Sequence, residues 1–151
     1  MGDVKINDLN LLRYCHTKMG GSLTDELKES FPTEKCVCFG EYRDDGEPLW
    51  AASLYDFKNN HECNLDMTLN HKGIMSPSLF KRIGRVLCDY IFNQAKLKRC
   101  NSSIRISNHA SIKLTKAYGF QIEGIKRHGF VAPKAEDMVL LGLLKDECRW
   151  I

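Results

Sequence analysis

The stretch Ser103–Gly124 reads SIRISNHASIKLTKAYGFQIEG and predicts a strand, a capped helix and a second strand in succession. Residues 103–107 alternate polar and apolar side chains, as a half-buried strand does. Asn108 stands at the N-cap position of a helix over Ala110–Tyr118, and Gly119 ends that helix. The second strand begins directly after this glycine. A strand that leads into a helix whose first N–H groups are free suits an anionic or amide-bearing ligand.

The helix in this stretch should bury one side. Its apolar stripe is formed by Ile112, Leu114 and Ala117. Tyr118 lies three residues after Thr115, which is about 300° further round the helix. We therefore expect Tyr118 to pack beside Phe120 and not to share the face of Thr115.

Hydrophobic periodicity predicts the remaining elements. Helices are expected over Asp8–Met19, over Thr24–Ser30 and from Pro77 to about Lys96, and strands over Lys35–Arg43, Pro48–Phe57, Cys63–Leu69 and Asp137–Leu144. The segment from Asp44 to Glu47 has turn composition, so the first two strands should form an antiparallel hairpin. Three consecutive strands followed by alternating helices and strands indicate an α+β domain with a mixed, mostly antiparallel sheet flanked by helices.

Two of these elements carry patterns that matter later. In the strand Cys63–Leu69, the side chains of Asn64, Asp66 and Thr68 share the polar face. The long helix begins at Pro77 behind a Ser76 cap. Its buried stripe is expected to consist of Leu79, Ile83, Val86, Leu87, Tyr90 and Ile91. The basic patch Lys96–Arg99 is interpreted as the solvated end of this helix.

Length and charge limit the function classes. A chain of 151 residues fits one domain over residues 1–151. The net charge of +3, from 22 basic and 19 acidic side chains, lacks the clustered basic excess of a nucleic-acid-binding protein. No apolar run approaches the roughly 20 residues of a membrane span. These patterns predict a cytoplasmic protein with neither nucleic-acid nor membrane partners.

The seven cysteines are expected to be reduced thiols. Their number is odd, and the C-x₂-C pairs of zinc sites are absent. Cys36 and Cys38 point to the same face of a strand, where core packing is the expected role. His61, Cys63 and His71 match no common ligand spacing, so no metal site is predicted.

The motif N-x-x-S followed by Y-G-F-x-x-E-G-x-x-R resembles that of the Gcn5-related N-acetyltransferase (GNAT) superfamily, in particular its ribosomal-protein N-terminal acetyltransferase branch. The matching residues are Asn108, Ser111, Gly119, Phe120, Glu123, Gly124 and Arg127. The ending DECRWI is similar to that of phage-encoded members, which would place the protein in the host cytoplasm. The resemblance implies a three-layer domain, with the N-terminal helices walling the acceptor site. It leaves the oligomeric state open, with a homodimer among the options.

The resemblance also implies acetyl-CoA as co-substrate and assigns residues to it. Backbone groups of Met67, Thr68 and Leu69 would pair with the pantetheine amides, where this strand splays from its parallel neighbour over residues 103–107. Asn108 and Ser111 would contact coenzyme A, and for Asn108 an ordinary N-cap is the compatible alternative. The family's Gly-rich pyrophosphate loop is replaced here by HKGIMSPSLF. In this loop region Met75, Ser76, Ser78 and Arg82 are the expected contacts, and the alternative is that Ser76 and Pro77 only start a helix.

Acetyl transfer to an amine needs a base and a proton source for the leaving thiolate. Asp66 is the first candidate base and Glu41 the second, whereas a solvated carboxylate on a strand face is the alternative for each. Thr115 occupies the place at which many family members carry a tyrosine acid, and its hydroxyl is a poor donor. Glu123 and Arg127 either pair with each other or shape the acceptor site.

Two functional hypotheses follow from these residues. The first is an acetyl-CoA-dependent N-acetyltransferase whose acceptor is a primary amine, such as a protein α-amino group, a lysine or a small amine. The second is a catalytically weak or inactive module that binds coenzyme A or a protein partner and regulates it. The altered loop and Thr115 favour the second hypothesis.

Overall fold

The structure is a computed structural model that describes residues 3–18, 36–70 and 75–151. Chain contacts define two compact units. The first unit comprises Met1–Phe57 and Leu65–Pro77, and the second comprises Lys58–Asn64 and Ser78–Ile151. The helix predicted over Thr24–Ser30 lies outside the described residues. That the whole chain acts as one domain stays a prediction.

Seven strands and three α-helices lie in the described residues. They are β1 (Lys5–Ile6), α1 (Leu9–Lys18), β2 (Cys36–Tyr42), β3 (Pro48–Lys58), β4 (Glu62–Leu69), α2 (Pro77–Cys88), β5 (Arg99–Arg105), α3 (His109–Ala117), β6 (Gln121–Phe130) and β7 (Glu136–Leu144). A π-helix over Asp89–Gln94 continues α2, and a 3-10 turn over Lys145–Glu147 follows β7. The strands form one sheet in the order β1-β2-β3-β4-β5-β7-β6.

The sheet is mixed, as predicted. β4 pairs with β5 in parallel, through Glu62 with Arg99, Cys63 with Cys100 and Asn64 with Asn101. The pairings β1–β2, β2–β3, β5–β7 and β7–β6 are antiparallel. The predicted α+β class with a mostly antiparallel sheet is therefore confirmed.

In the first unit, Asp8 caps α1. Its Oδ1 accepts hydrogen bonds from the backbone N–H of Asn10 at 2.9 Å and of Leu11 at 3.2 Å, and from the Tyr42 hydroxyl at 2.7 Å. These contacts satisfy N–H groups that a helix start leaves free. The helix predicted from Asp8 is confirmed, while its predicted last residue, Met19, lies outside the described residues.

The first unit buries one side of α1 against the hairpin of β2 and β3. The core cluster consists of Leu11, Leu12, Cys15, Cys36, Cys38 and Ala51. Cys36 and Cys38 therefore pack in the core, as their spacing predicted. In the hairpin turn, Gly46 has φ 86°, and its N–H donates to the Arg43 carbonyl at 2.9 Å. This left-handed conformation is one that glycine adopts without steric cost, so the predicted antiparallel hairpin is confirmed.

The helix predicted to run to about Lys96 changes type before its end. It is α-helical to Cys88 and then a π-helix, in which the Ala95 N–H donates to the Tyr90 carbonyl at 2.7 Å. The wider turn brings Ile91 and Phe92, which are adjacent in sequence, into the buried set together. Val86 and Tyr90, which were predicted to be buried, are half-buried.

Other boundaries differ from the predictions in the second unit. β5 begins at Arg99 and ends at Arg105, whereas the predicted strand covered residues 103–107. Ser102 is buried, with 8% of its surface exposed. Because a serine occupies this buried position, the alternation of apolar residues is interrupted, and the sequence pattern does not show that β5 begins at Arg99. Lys96 and Lys98 are exposed just after the helix ends, as predicted, whereas Leu97 is buried and Arg99 belongs to β5. Ala117 is exposed, whereas Ile112 and Leu114 are half-buried, because α3 buries none of its residues fully.

The C-terminal tail, Cys148–Ile151, connects α2 to the end of α3 in the second unit. The Trp150 Nε1–H donates to the Tyr118 carbonyl at 2.8 Å, and the Trp150 ring packs edge-on against Phe80 with centroids 5.4 Å apart. A Cβ atom at Gly84 would lie 2.8 Å from the Trp150 ring. Gly84 is therefore the position that allows the tail to approach the helix.

We expect Gly84→Ala to lower the free energy of unfolding by about 1–3 kcal/mol, because the added methyl group overlaps the indole ring. Alanine alone would favour the helix by about 1 kcal/mol, so the same substitution should be stabilising in a Trp150→Ala background. Urea unfolding of the two single variants and the double variant measures the coupling. Stabilisation by Gly84→Ala in the otherwise native chain would contradict this packing.

Candidate active site

The predicted site residues are divided between the two units. The first unit carries Glu41, Asp66, Met67, Thr68, Leu69, Met75 and Ser76, and the second carries Ser78, Arg82, Asn108, Ser111 and Thr115. Each group is described within its own unit.

Asp66 lies on β4 and is half-buried. Its Oδ1 accepts a hydrogen bond from the Tyr55 hydroxyl at 3.1 Å, and its backbone carbonyl accepts one from the Cys15 thiol at 3.7 Å. Tyr55 comes from β3 and Cys15 from α1, so three elements of the first unit meet at this residue. The Asp66 carboxylate is therefore held in a defined position.

The surroundings of Asp66 change its acidity. Burial raises the pKa of the carboxyl group to about 6, and the Asp56 carboxylate adds to the increase. The hydrogen bond from Tyr55 opposes these effects and lowers the pKa. A carboxyl group with a pKa near 6 is ionised at neutral pH and still binds a proton readily, as a general base must.

Glu41, the second candidate base, lies in a different environment. Its side chain is fully buried on β2, and its Oε2 accepts a hydrogen bond from the Trp50 Nε1–H at 2.7 Å. Glu41 and Trp50 are direct cross-strand partners. An acceptor amine has no route to a fully enclosed carboxylate, so this geometry favours a structural role for Glu41.

The predicted pantetheine-binding residues Met67, Thr68 and Leu69 end β4 and are half-buried. Asn70 follows them and ties this end of the strand to β3. The Asn70 Nδ2 donates to the Pro48 carbonyl at 2.8 Å, and its backbone N–H donates to the Leu49 carbonyl at 2.9 Å. The register between β4 and β5 stops at Asn64, so that ladder does not use the backbone groups of these three residues.

The residues of the predicted pyrophosphate loop surround the start of α2. In the first unit Met75 is half-buried and Ser76 is exposed, and in the second unit Ser78 is exposed and Arg82 half-buried. Within α2 itself, the first turn contains no acidic residue. The N-terminal end of α2 therefore has no carboxylate of its own turn to repel an anion.

Asn108 caps α3, which confirms the predicted N-cap. Its Oδ1 accepts a hydrogen bond from the Ser111 N–H at 3.2 Å, and its backbone N–H donates to the Arg105 carbonyl at 2.9 Å. This leaves the Nδ2 donors of an exposed side chain for a ligand, and no partner for them lies in the described residues. The cap role and a contact with coenzyme A are compatible.

Thr115 is half-buried on α3. Tyr118, which follows the helix, is buried, and its hydroxyl donates to the Phe80 carbonyl at 3.1 Å. Its ring stacks on Phe80 with centroids 4.2 Å apart. Tyr118 is therefore a packing residue, as predicted, although its observed ring partners are Phe80 and Trp150.

The prediction that Glu123 and Arg127 could pair with each other is wrong. The Glu123 carboxylate pairs with Arg99 of β5, across the intervening strand β7. This interaction spans 24 residues of sequence, so local spacing could not reveal it. Tyr55 is a further site residue that the sequence analysis did not identify. Nothing in the local sequence around an aromatic residue of a strand indicates that its hydroxyl binds a carboxylate.

Solved structures share this fold. The chain is similar to the spermidine/spermine N-acetyltransferase SpeG from Vibrio cholerae, with a TM-score of 0.74 and 13% identity over 97% of this chain and 96% of that chain. It is also similar to the ribosomal-protein-S5-alanine acetyltransferase from Vibrio fischeri, with a TM-score of 0.65 and 20% identity over 82% of this chain and 68% of that chain. A further structure of spermidine N-acetyltransferase from Vibrio cholerae, described as dodecameric, matches with a TM-score of 0.75 and 14% identity over 96% of this chain and 94% of that chain.

At the level of sequence, no family model and no curated protein matches the chain. The fold is therefore assigned from structural similarity alone. This similarity shows that the chain has the fold of the GNAT acetyltransferases, and the expectation drawn from the motif in Ser103–Gly124 is confirmed at the level of fold.

The described residues also bear on membrane and metal binding. None of their helices has the length and apolar character needed to cross a membrane. No group of three or more His, Cys, Asp or Glu side chains among them is arranged to hold a metal ion. That the protein uses no metal stays a prediction.

We expect Asp66→Asn to stabilise the protein at pH 7.5. The folded pKa of about 6 exceeds the ordinary value of 3.8, so this carboxyl favours folding at low pH, and its contribution is lost as the pH rises through 6. The variant, which cannot ionise, should gain on the order of 1–3 kcal/mol at pH 7.5 and little at pH 4. Urea unfolding at both pH values measures this difference.

Asp56→Asn is the matched control, because Asp56 is an exposed neighbour with φ 52°, a conformation that asparagine adopts readily. It should show a much smaller dependence on pH. An equal gain in both variants would show that burial of Asp66 is not the cause.

Proposed function

We propose that this protein is an acetyl-CoA-dependent N-acetyltransferase that transfers the acetyl group to a primary amine by direct attack on the thioester. The fold is that of solved N-acetyltransferases, and both enzymes named above act on amines according to their names. The observation that carries the proposal is the Asp66 carboxylate on β4, which has a pKa of about 6 and accepts a hydrogen bond from Tyr55 of β3.

In the proposed reaction, Asp66 is the general base. The acceptor arrives as an ammonium ion, and ionised Asp66 removes a proton from it directly or through one water molecule. The free amine then attacks the carbonyl carbon of the thioester and a C–N bond forms. The nitrogen loses a second proton to solvent as the C–S bond breaks, which leaves a neutral amide. Tyr55 is a positioning residue, since its hydrogen bond holds the carboxylate in one orientation and lowers the pKa of Asp66.

The leaving thiolate takes its proton from solvent in this proposal. Thr115 stands where a phenol acid would be expected, and an alcohol is a much weaker acid than a phenol. The Tyr118 hydroxyl already donates its proton to the Phe80 carbonyl in a hydrogen bond, so it is not proposed as the acid. Thiolate is a tolerable leaving group, so positioning of the amine supplies much of the rate enhancement.

The residues of the second unit suit an anionic co-substrate. Its sequence contains 15 Lys or Arg against 7 Asp or Glu, which is a net charge of +8. Coenzyme A carries several phosphate charges, and we propose that Ser78, Arg82, Asn108 and Ser111 contribute to binding it. Met67, Thr68, Leu69, Met75 and Ser76 complete the proposed set in the first unit.

The first unit has the opposite charge. Its described residues include 8 Asp or Glu against 4 Lys or Arg, a net charge of −4. A negative field raises the local concentration of cations. This supports an amine acceptor that is positively charged in solution, whether a small amine, a lysine or a protein α-amino group.

We expect Asp66→Asn to lower kcat on the order of 100-fold or more, because a positioned base contributes that much. The affinity for acetyl-CoA, measured by calorimetry, should not change. Release of coenzyme A thiol with a panel of spermidine, a lysine peptide and an alanine-initiated peptide gives the rates. Asp56→Asn, the matched control, should stay within a few-fold of the native rate.

The outcomes separate the two functional hypotheses. Turnover that survives Asp66→Asn rejects the base assignment. Binding of acetyl-CoA without turnover by the native protein supports the regulatory module. The presence of Thr115 at the place where a phenol acid is expected already favours that module. Absence of acetyl-CoA binding rejects the acetyltransferase and the form of the module that binds coenzyme A.

We expect Tyr55→Phe to move the acidic limb of the pH–rate profile to higher pH. The native limb should lie near pH 6, with activity rising as Asp66 ionises. Removal of the hydroxyl removes a hydrogen bond to the charged form, so the pKa of Asp66 rises. A steady-state profile of kcat/KM from pH 5 to 8 measures the limb, and a downward shift would contradict the proposed contact.

A further inference from the structure

The C-terminal tail lies along one face of α2. Trp150 contacts Phe80 and approaches Gly84, and the Cys148 thiol lies close enough to Cys88 to raise the pKa of that thiol. Phe80, Gly84 and Cys88 are spaced four residues apart, which places them in one row on the helix. The tail therefore runs antiparallel to α2, and its geometry brings the two sulfur atoms together.

The two thiols differ in accessibility. Cys88 is 4% exposed, whereas Cys148 is half-buried and can be reached from solvent. Burial raises the pKa of Cys88, and the neighbouring Cys148 adds to the increase. Cys88 therefore does not react with external reagents first, but it lies next to a thiol that can.

A second pair of thiols provides an internal comparison. Cys63 and Cys100 face each other across the parallel ladder of β4 and β5. Both side chains are fully buried. Because no reagent reaches either sulfur without unfolding, proximity alone does not make this pair oxidisable.

We propose that Cys88 and Cys148 form a reversible disulfide on exposure to a low-molecular-weight disulfide or to an azo oxidant, and that this bond locks the tail onto α2. The inference does not depend on the proposed function. The free thiols found here are the reduced state of the pair.

The chemistry balances in both cases. With a small disulfide, the Cys148 sulfur attacks and expels one small thiol, and the Cys88 sulfur then attacks the mixed disulfide and expels the second. Two protein S–H bonds are lost, one S–S bond forms and two small thiols are produced. With an azo oxidant such as diamide, the N=N bond takes up the two electrons and two protons and becomes a hydrazine.

The bond would fix more than the tail. The Arg149 guanidinium donates to the Ala117 carbonyl, and Trp150 donates to the Tyr118 carbonyl, so the tail is already held to the end of α3. A covalent link to α2 would clamp these two helices of the second unit together. It would also close a loop of about 60 residues, which restricts the unfolded chain.

The test is oxidation of the full chain with diamide, followed by intact mass measurement and peptide mapping without reduction. We expect a loss of about 2 Da per bond and a cross-linked peptide that joins Cys88 to Cys148. The Tm of the oxidised protein should rise by roughly 5–10 °C, and dithiothreitol should reverse the change. A link between Cys63 and Cys100 in place of this one, or no link, overturns the proposal.

Variants separate the proposed bond from general oxidation. Cys148→Ser, at a partly exposed position that tolerates a hydroxyl, should lose both the cross-link and the Tm increase, as should Cys88→Ala. Cys100→Ala is the matched control, since it removes another buried thiol of the same unit and should retain both. A Tm increase that persists in Cys148→Ser would show that some other modification causes it.

Discussion

The ion pair between Arg99 and Glu123 connects the strands of the second unit. The side chain of Arg99 extends from β5 and that of Glu123 extends from β6. The two meet above β7, which lies between these strands in the sheet. The residue beneath them is Gly142, where a Cβ atom would lie 2.5 Å from both the guanidinium and the carboxylate. Any side chain at position 142 would therefore displace the pair, so one glycine makes a link across three strands possible.

The same guanidinium also organises the parallel pairing of β4 and β5. Its Nε donates to the Asn101 Oδ1 at 2.7 Å and lies 3.6 Å from Glu62, while the Asn101 amide donates to Glu62 and to Asn64. Parallel pairing tolerates a polar layer only when its groups are satisfied. These contacts satisfy each other on one face of the ladder, while Cys63 and Cys100 fill the opposite, buried face.

Local rules predicted the elements whose causes are local. The cap at Asn108, the turn at Gly46 and the core face of Cys36 and Cys38 each depend on a few neighbouring residues, so the sequence identified them. The start of β5 at Arg99 depends on partners far along the chain, and polar Asn101 and buried Ser102 hid it from the hydrophobic pattern. Asp66 was found as a candidate through its alternation, but its partner Tyr55 was not, because only the fold brings β3 and β4 side chains together.

Glu41 and Asp66 show why burial alone does not identify a base. Glu41 is the more deeply buried of the two, yet its environment encloses the carboxylate and provides a strong indole donor. The buried Glu41 side chain is hydrogen-bonded and inaccessible, and its bond to its cross-strand partner Trp50 helps to specify how β2 and β3 pair. Asp66 is only half-buried, and its phenol donor lowers the pKa less than burial raises it. Asp66 is therefore partly accessible, and its raised pKa gives it a higher proton affinity than an ordinary carboxylate. Both properties favour Asp66 over Glu41 for proton transfer.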